Sequence, residues 1–311
     1  MGSACARPRF SSNERRRIFE SSKPGKGASV ALDMTLDLMS ATVQLEQPQA
    51  DGKRTVATGF LISDPTPDGQ PRVVLVTANH VFARMASDQA TIGYRIQGPD
   101  GTWSYAPQKI AIRADGKPLW THHAARDVAV LAITAPPAFA KAAIPLNWLA
   151  GDDTFAKYQL GPGDEMMALG FPEGLSANSA GFPILRSGRV ASYPLGPSAA
   201  FPTFLLDFRV FPGNSGGPVY LDEGLHRRDG LADGQDAPFV AGILTQEVES
   251  ENQNLGIGIV TQAKFIRETV AMLDAPAATE TTPATPVAAF AKDTAAKSGG
   301  AAAGSAEPRG R

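Results

Sequence analysis

The residues with the clearest chemical potential are 211–218, which read FPGNSGGP and place one serine, Ser215, among glycines. Glycines on both sides of a serine let the backbone turn sharply and leave room for a carbonyl group to approach. The backbone amides of Gly213 and Ser215 can then point at one spot, where they would stabilise a negatively charged oxygen. Taken alone, the string is equally compatible with a glycine-rich turn that contains an ordinary serine.

A serine hydroxyl is a weak nucleophile until a neighbouring base takes its proton, so the next requirement is a histidine. The chain has four histidines, and His80 directly follows the apolar run 73–76 and a short polar stretch. This predicts an imidazole at the end of a rigid strand, although a structural histidine at a strand end fits the same pattern. His122 and His123 lie in a polar loop and His226 lies among charged residues, which is typical of surface histidines.

A carboxylate is needed to hold the imidazole in one tautomer and to stabilise its protonated form. Asp127 opens the run DVAVLAI, so it lies at the mouth of an apolar strand. A turn aspartate that starts a strand is the alternative interpretation of this residue alone.

Together, His80, Asp127 and Ser215 resemble the trypsin-like serine endopeptidases of the chymotrypsin fold, whose catalytic residues run in this order along the chain. The resemblance spans about residues 38–270. Further strings resemble the family in sequence order: Thr58–Ile62, Ala168–Pro172, Ser187–Val190, Ala241–Ile243 and Gly256–Val260.

The resemblance implies an all-β fold of two packed six-stranded antiparallel barrels and a C-terminal helix, with the three residues in the cleft between the barrels. It also implies peptide-bond hydrolysis through an acyl-enzyme, with an oxyanion hole made by the Gly213 and Ser215 amides and a protein or peptide as substrate. No metal or organic cofactor is expected. A protease-fold protein that binds without catalysis is the alternative. An esterase on another fold is disfavoured, because α/β-hydrolases place the serine first and the histidine last.

Within the family, the chain looks closest to the disulfide-free bacterial branch of Deg-type and glutamyl endopeptidases. Asn214 stands where zymogen-activated trypsins carry an aspartate, so activation by N-terminal cleavage is not expected. The residues after the predicted helix cannot form the PDZ domain that Deg-type proteases usually carry.

The resemblance to trypsin-like relatives implies three candidates for the primary specificity pocket: Arg209, Thr245 and Gly258. A guanidinium at position 209 would favour acidic substrate side chains, but Arg209 can equally point to solvent or pair with Asp207 or Glu247. Leu244 stands where glutamyl endopeptidases have a pocket histidine, and Gly258 leaves the pocket open. A medium-sized apolar residue before the cut bond is therefore the favoured specificity.

The expected organisation is a peptidase domain with an appendage at each end. Its three parts are a flexible basic arm (1–28), the trypsin-like domain (29–274) and a disordered Ala/Thr/Pro-rich tail (275–311). Within the domain, the first barrel is expected to cover about 29–155, the second about 156–262 and the helix 262–273.

Composition narrows the possible partners. The 29 basic and 31 acidic residues give a formal charge of -2, so no global field attracts nucleic acid, which is not an expected partner. No apolar run is long enough for a membrane span, and the single cysteine excludes an internal disulfide. The chain therefore reads as soluble and without an export signal, and as periplasmic or secreted if its start is truncated. The sequence leaves the oligomeric state open.

Overall fold

The computed structural model describes residues 26–221, 238–250 and 253–275. The predicted basic arm lies outside the described residues as far as residue 25, and the predicted tail lies outside them from residue 276. No helix in the described part of the chain combines the length and apolar character that a membrane crossing requires.

The described residues form mostly β-structure with short helices between strands. The first half of the chain contains strands β1 (Thr42–Pro48), β2 (Arg54–Ser63), β3 (Val73–Thr77), β4 (Gln89–Gln97), β5 (Trp103–Ala111), β6 (Arg113–Ala114), β7 (Lys117–Pro118), β8 (Thr121–His122), β9 (Ala129–Ile133) and β10 (Ile144–Pro145). The second half contains β11 (Glu165–Gly170), β12 (Ile184–Val190), β13 (Thr203–Asp207), β14 (Pro218–Leu221), β15 (Phe239–Ser250) and β16 (Gln253–Gln262). The α-helices are α1 (Lys26–Ala41), α2 (Asn79–Arg84), α3 (Pro137–Ala142), α4 (Thr154–Lys157) and α5 (Ala263–Ala271), and three 3-10 turns cover Leu146–Trp148, Pro172–Gly174 and Met272–Asp274.

The second half closes into a six-stranded barrel in the order β11-β12-β13-β16-β15-β14. Its interior is filled by apolar side chains that alternate along the strands, such as Phe204 and Leu206 on β13. The predicted C-terminal helix is confirmed as α5, in which Ile266 and Val270 are buried at helical spacing. The prediction of a closed six-stranded barrel is therefore confirmed for this half.

The first half does not close, so the prediction of a second closed barrel is wrong. Eight of its strands form an open sheet in the order β5-β4-β1-β2-β3-β9-β8, with β10 paired to β2, and β6 pairs with β7 in a separate sheet. Closure would require the two edges to pair, but β8 has only two residues and the side chains of β5 are mostly exposed. The unpredicted helix α1 packs against β1 and β2 instead and buries Met34 and Leu38 in the core.

A buried arginine, Arg95 on β4, connects the end of α1 to the start of β1 and to Gly181 by hydrogen bonds. Its guanidinium donates to the carbonyl oxygens of Ser40 (2.6 Å), Thr42 (2.7 Å) and Gly181 (3.0 Å), and its side chain lies between the rings of Phe139 and Phe182. Burial lowers the pKa of Arg95 to about 10. The carbonyl groups and aromatic rings take over the role that water plays for an exposed guanidinium.

Candidate active site

His80 and Asp127 come together because the strands that carry them are neighbours. In the antiparallel pair of β3 and β9, Thr77 lies opposite Ala129. His80 follows the end of β3 in the first turn of α2, and Asp127 lies just before β9 begins. The same pairing that buries both apolar strands therefore brings the imidazole and the carboxylate to one edge of the sheet.

The Asp127 carboxylate makes two hydrogen bonds with His80. Its Oδ2 lies 2.6 Å from the ring Nδ1, and its Oδ1 accepts from the backbone N–H at 2.9 Å. An ionised carboxylate can only accept, so in the neutral imidazole the proton belongs on Nδ1 and the lone pair on Nε2. Both side chains keep about a quarter of their surface exposed, at 22% and 26%. The imidazole is thus held in one orientation, with a basic nitrogen left free.

Ser215 lies in a tight loop that joins β13 to β14. The amide of Asn214 donates to the Phe211 carbonyl (3.0 Å), and the amide of Gly217 donates to the Asn214 carbonyl (3.0 Å). The Ser215 hydroxyl is half-buried and lies 3.4 Å from the carbonyl oxygen of Thr245. The loop therefore presents the hydroxyl at the surface of a backbone that is folded back on itself.

Two glycines set the course of this loop. Gly213 has a φ of 97° and Gly216 a φ of 87°, both in the left-handed region. A Cβ at position 213 would collide with the Phe171 carbonyl, and one at position 216 would collide with the Thr58 carbonyl and the Thr77 hydroxyl. Only glycine satisfies both demands, the unusual φ and the close approach.

The loop of Ser215 packs directly against the half of the site that holds His80. A Cβ at position 216 would also lie 3.1 Å from the amide nitrogen of Ala78, two residues before His80. The Thr58 amide donates to the carbonyl of Ser215 at 2.9 Å. The structure thus brings the loop of Ser215 beside the turn that carries His80, and Asp127 is bonded to His80.

The amides of Gly213 and Ser215 donate to no protein acceptor in the described part of the chain. The side chain of Asn214, between them, is buried, and within the described residues its Nδ2 has no partner. These are the two amides to which the sequence pattern assigns an oxyanion site, an assignment that stays a prediction.

The three pocket candidates lie in different surroundings. Arg209 is exposed, with its guanidinium 5.1 Å from the centre of the Phe211 ring. The Thr245 hydroxyl is turned toward β16, where it donates to the Ile259 carbonyl at 3.2 Å. Gly258 faces Val210 and Leu244: a Cβ there would lie 3.0 Å and 3.1 Å from their methyl carbons. Val210 and Leu244 are both buried, so little room remains beside Gly258 and its neighbours there are apolar.

Sequence reasoning missed Arg186, a half-buried cation on β12 near the loop of Ser215. It donates to the Arg209 carbonyl (2.6 Å) and stacks on the ring of Phe208, 4.3 Å from its centre. Burial lowers the pKa of the Arg186 guanidinium, and the charge of Arg209 lowers it further. Nothing in the local pattern of β12 distinguishes this arginine from the exposed Arg189 on the same strand.

The other three histidines are not joined to this site in the part of the chain that the structure describes. His123 contacts the carboxylate of Glu268 on α5 at 3.2 Å, and the ring of His122 bonds to no described residue. His226 lies outside the described residues. No group of three or more His, Cys, Asp or Glu that could hold a metal ion occurs among the residues that the structure describes.

The family of the chain follows from a match over more than half of its length. Residues 57–225 match the family described as the Trypsin-like peptidase domain. The chain therefore belongs to the trypsin-like peptidase family, and the resemblance stated from the His80, Asp127 and Ser215 strings is confirmed at this level. No curated protein matches the chain.

Among solved structures, the chain is similar to the HtrA-type protease AlgW. Two structures of that protein with tripeptide are 18% identical, with TM-scores of 0.47 and 0.46, and the alignments cover 79% and 78% of this chain. A structure with decapeptide is 19% identical, with a TM-score of 0.45 and 79% of this chain covered. The chain spans 63%, 63% and 66% of the three matched chains, which is less than two thirds of their length.

Proposed function

We propose that this member of the trypsin-like peptidase family is an active serine endopeptidase with Ser215 as nucleophile, His80 as base and Asp127 as the residue that orients the base. The observation that carries the proposal is the pair of hydrogen bonds between Asp127 and His80, at 2.6 Å and 2.9 Å, beside the loop of Ser215. A carboxylate bonded to both the ring and the backbone of one histidine fixes its position and its tautomer together.

The mechanism follows from these positions. Ser215 Oγ attacks the carbonyl carbon of a peptide bond while His80 Nε2 takes the hydroxyl proton. The carbonyl oxygen becomes an anion, which the Gly213 and Ser215 amides stabilise. The intermediate collapses, the amine leaves with the proton from His80, and an ester to Ser215 remains. Water, deprotonated by His80, then cleaves this ester and releases the acid. No metal or organic cofactor takes part.

For the residue before the cut bond, we propose a small or medium apolar side chain. Gly258 packs against the methyl carbons of the buried Val210 and Leu244, which leaves little room beside it. A large or charged side chain would lose hydration against these carbon atoms without gaining a partner. Arg209 is exposed and stacks beside Phe211, so its charge lies in water and not at the base of this space. The exposed position of Arg209 supports a preference for an apolar residue, rather than an acidic one, before the cut bond.

Labelling with a fluorophosphonate probe, followed by hydrolysis of casein or a peptide library, tests the proposal. The wild-type protein should be labelled and should cut after Val, Ala or Leu. Ser215→Ala should lose both labelling and hydrolysis while it keeps its melting temperature, because one half-exposed hydroxyl contributes little packing. Ser187→Ala, which removes an exposed hydroxyl on β12, serves as the control and should be labelled like the wild type. An unlabelled, folded wild-type protein would contradict the proposal and favour a binding role for the fold.

A further inference from the structure

Thr58 on β2 makes a set of hydrogen bonds that reaches residues 211–217 from the other half of the molecule. These residues hold Ser215 and the proposed oxyanion amides and are called the oxyanion loop below. Its side chain is fully buried. Its hydroxyl donates to the carbonyl oxygen of Gly213 at 2.7 Å and accepts from the amide of Phe171 at 3.1 Å. A buried hydroxyl with one donated and one accepted bond cannot rotate without leaving a buried polar group unpaired.

These hydrogen bonds restrict the orientation of the peptide groups that precede Ser215. In a trans peptide the N–H and C=O point in opposite directions, so a bond that fixes the carbonyl also fixes the amide. The Pro212 carbonyl accepts from the Glu173 amide at 2.6 Å, which directs the Gly213 N–H to the opposite side. The Gly213 carbonyl belongs to the next peptide group, whose N–H is that of Asn214, and Thr58 fixes this group between the Gly213 and Ser215 amides. Two consecutive peptide groups are thus held from their carbonyl sides.

Gly213 is the residue between these two peptide groups, and glycine is the residue with the widest choice of backbone angles. Its φ of 97° is maintained by the surroundings and not by a side chain of its own. The hydroxyl of Thr58 supplies the bond on the C-terminal side of this flexible point. Without it, the Gly213 carbonyl would be a buried acceptor with no protein donor in the described residues, and rotation toward another donor would turn the adjacent amides as well.

Thr58 also bonds to the two elements that carry the nucleophile and the base. Its amide donates to the Ser215 carbonyl at 2.9 Å, and its carbonyl accepts from the hydroxyl of Thr77, three residues before His80, at 2.7 Å. One residue of the open sheet therefore contacts the oxyanion loop, the backbone of the nucleophile and the strand that leads to the base.

We infer that Thr58 is a positioning residue, whose hydroxyl holds the peptide group between the Gly213 and Ser215 amides and thereby sets the direction of both amides. This inference rests on the proposed function, since it assigns the amides the role of binding the reacting oxygen. A misplacement of such donors by about 1 Å costs on the order of 10²-fold in rate.

The test compares Thr58→Val, which keeps shape and loses the hydroxyl, with Thr58→Ser, which keeps the hydroxyl. Thr42→Val is the matched control, because Thr42 is equally buried in the same sheet and its hydroxyl donates only to the Leu38 carbonyl. Thr58→Val should lose about 10²-fold in kcat with KM within about twofold, and its fluorophosphonate labelling should slow by a similar factor. Thr58→Ser should recover most of kcat, and Thr42→Val should lower the melting temperature and leave kcat unchanged.

Hydrogen exchange of residues 211–217, followed by mass spectrometry, gives a readout that needs no activity. Exchange should be faster in Thr58→Val than in Thr42→Val or Thr58→Ser. Unchanged kcat and exchange in Thr58→Val, or an equal loss in Thr58→Ser, would overturn the inference. If Thr58→Val does not fold, Thr58→Ala is compared with Thr58→Ser in the same way. An inactive, unlabelled wild-type protein would instead contradict the proposed function, and faster loop exchange in Thr58→Val would still support the hydroxyl as the residue that orders the loop.

Discussion

The two halves of the candidate site are built by different means. His80 and Asp127 are joined by side-chain hydrogen bonds at the ends of two paired strands, and their backbones are ordinary. The loop of Ser215 depends instead on backbone angles and close approaches that only glycine allows, at positions 213 and 216. We therefore expect the pair of His80 and Asp127 to lose its function when a side chain changes its chemistry. We expect the loop of Ser215 to lose its function when a single carbon atom is added.

The largest effect is expected at Asp127. In Asp127→Asn the side-chain amide can donate to His80 Nδ1, which moves the ring proton to Nε2 and removes the base. We expect kcat to fall by about 10⁴, the magnitude known for the equivalent substitution in a chymotrypsin-fold protease, with the melting temperature nearly unchanged. Steady-state kinetics and thermal melting measure both. Asp153→Asn, on an exposed aspartate, is the control, and an Asp127→Asn enzyme that turns over as fast as the wild type would remove Asp127 from the mechanism.

An intermediate effect is expected at Gly213. Gly213→Ala adds a Cβ that collides with the Phe171 carbonyl at a φ unsuited to alanine, so the loop must shift. The shift displaces one oxyanion amide, which predicts a loss of about 10² to 10³ in kcat together with a lower melting temperature. Gly161→Ala is the control, because a Cβ there meets nothing within 4 Å. Equal kcat in the two variants would show that the loop does not depend on the glycine backbone.

The smallest effect is expected at Arg209, which lies close in sequence to the loop but faces solvent. Arg209→Ala should change kcat/KM by less than about twofold for substrates with an apolar residue before the cut, because substitutions at exposed positions are usually near neutral. Profiling on a peptide library before and after the substitution measures this. Cleavage after Glu or Asp that disappears in Arg209→Ala would reverse the specificity proposed here.

The sequence was enough to predict roles for His80, Asp127 and Ser215. Each of them lies next to a local apolar run or in a glycine-rich turn. The open first sheet could not be predicted, because closure depends on whether the edge strands β5 and β8 meet, and alternation within each strand carries no information on that. Helix α1 was also missed, since its first residues continue a stretch rich in basic residues, Pro and Gly.

Thr58 shows the same limit at the scale of one side chain. In the sequence it is an ordinary β-branched residue at the start of an apolar strand. Its hydroxyl acquires a distinct role only through a bond to a residue 155 positions away. Arg186 and Arg95 are similar, because the carbonyl groups that surround them come from other strands and loops.

The buried Arg95 has a consequence for local unfolding. Its guanidinium bonds to carbonyls at the end of α1, at the start of β1 and at Gly181, and it has no carboxylate partner among the described residues. Local unfolding of either α1 or the Gly181 loop would remove hydrogen bonds from the same buried guanidinium. The free energies of these two local unfolding steps therefore both include the cost of leaving Arg95 with fewer partners. The first helix and the loop of Gly181, more than 100 residues apart in sequence, are thereby linked through one arginine.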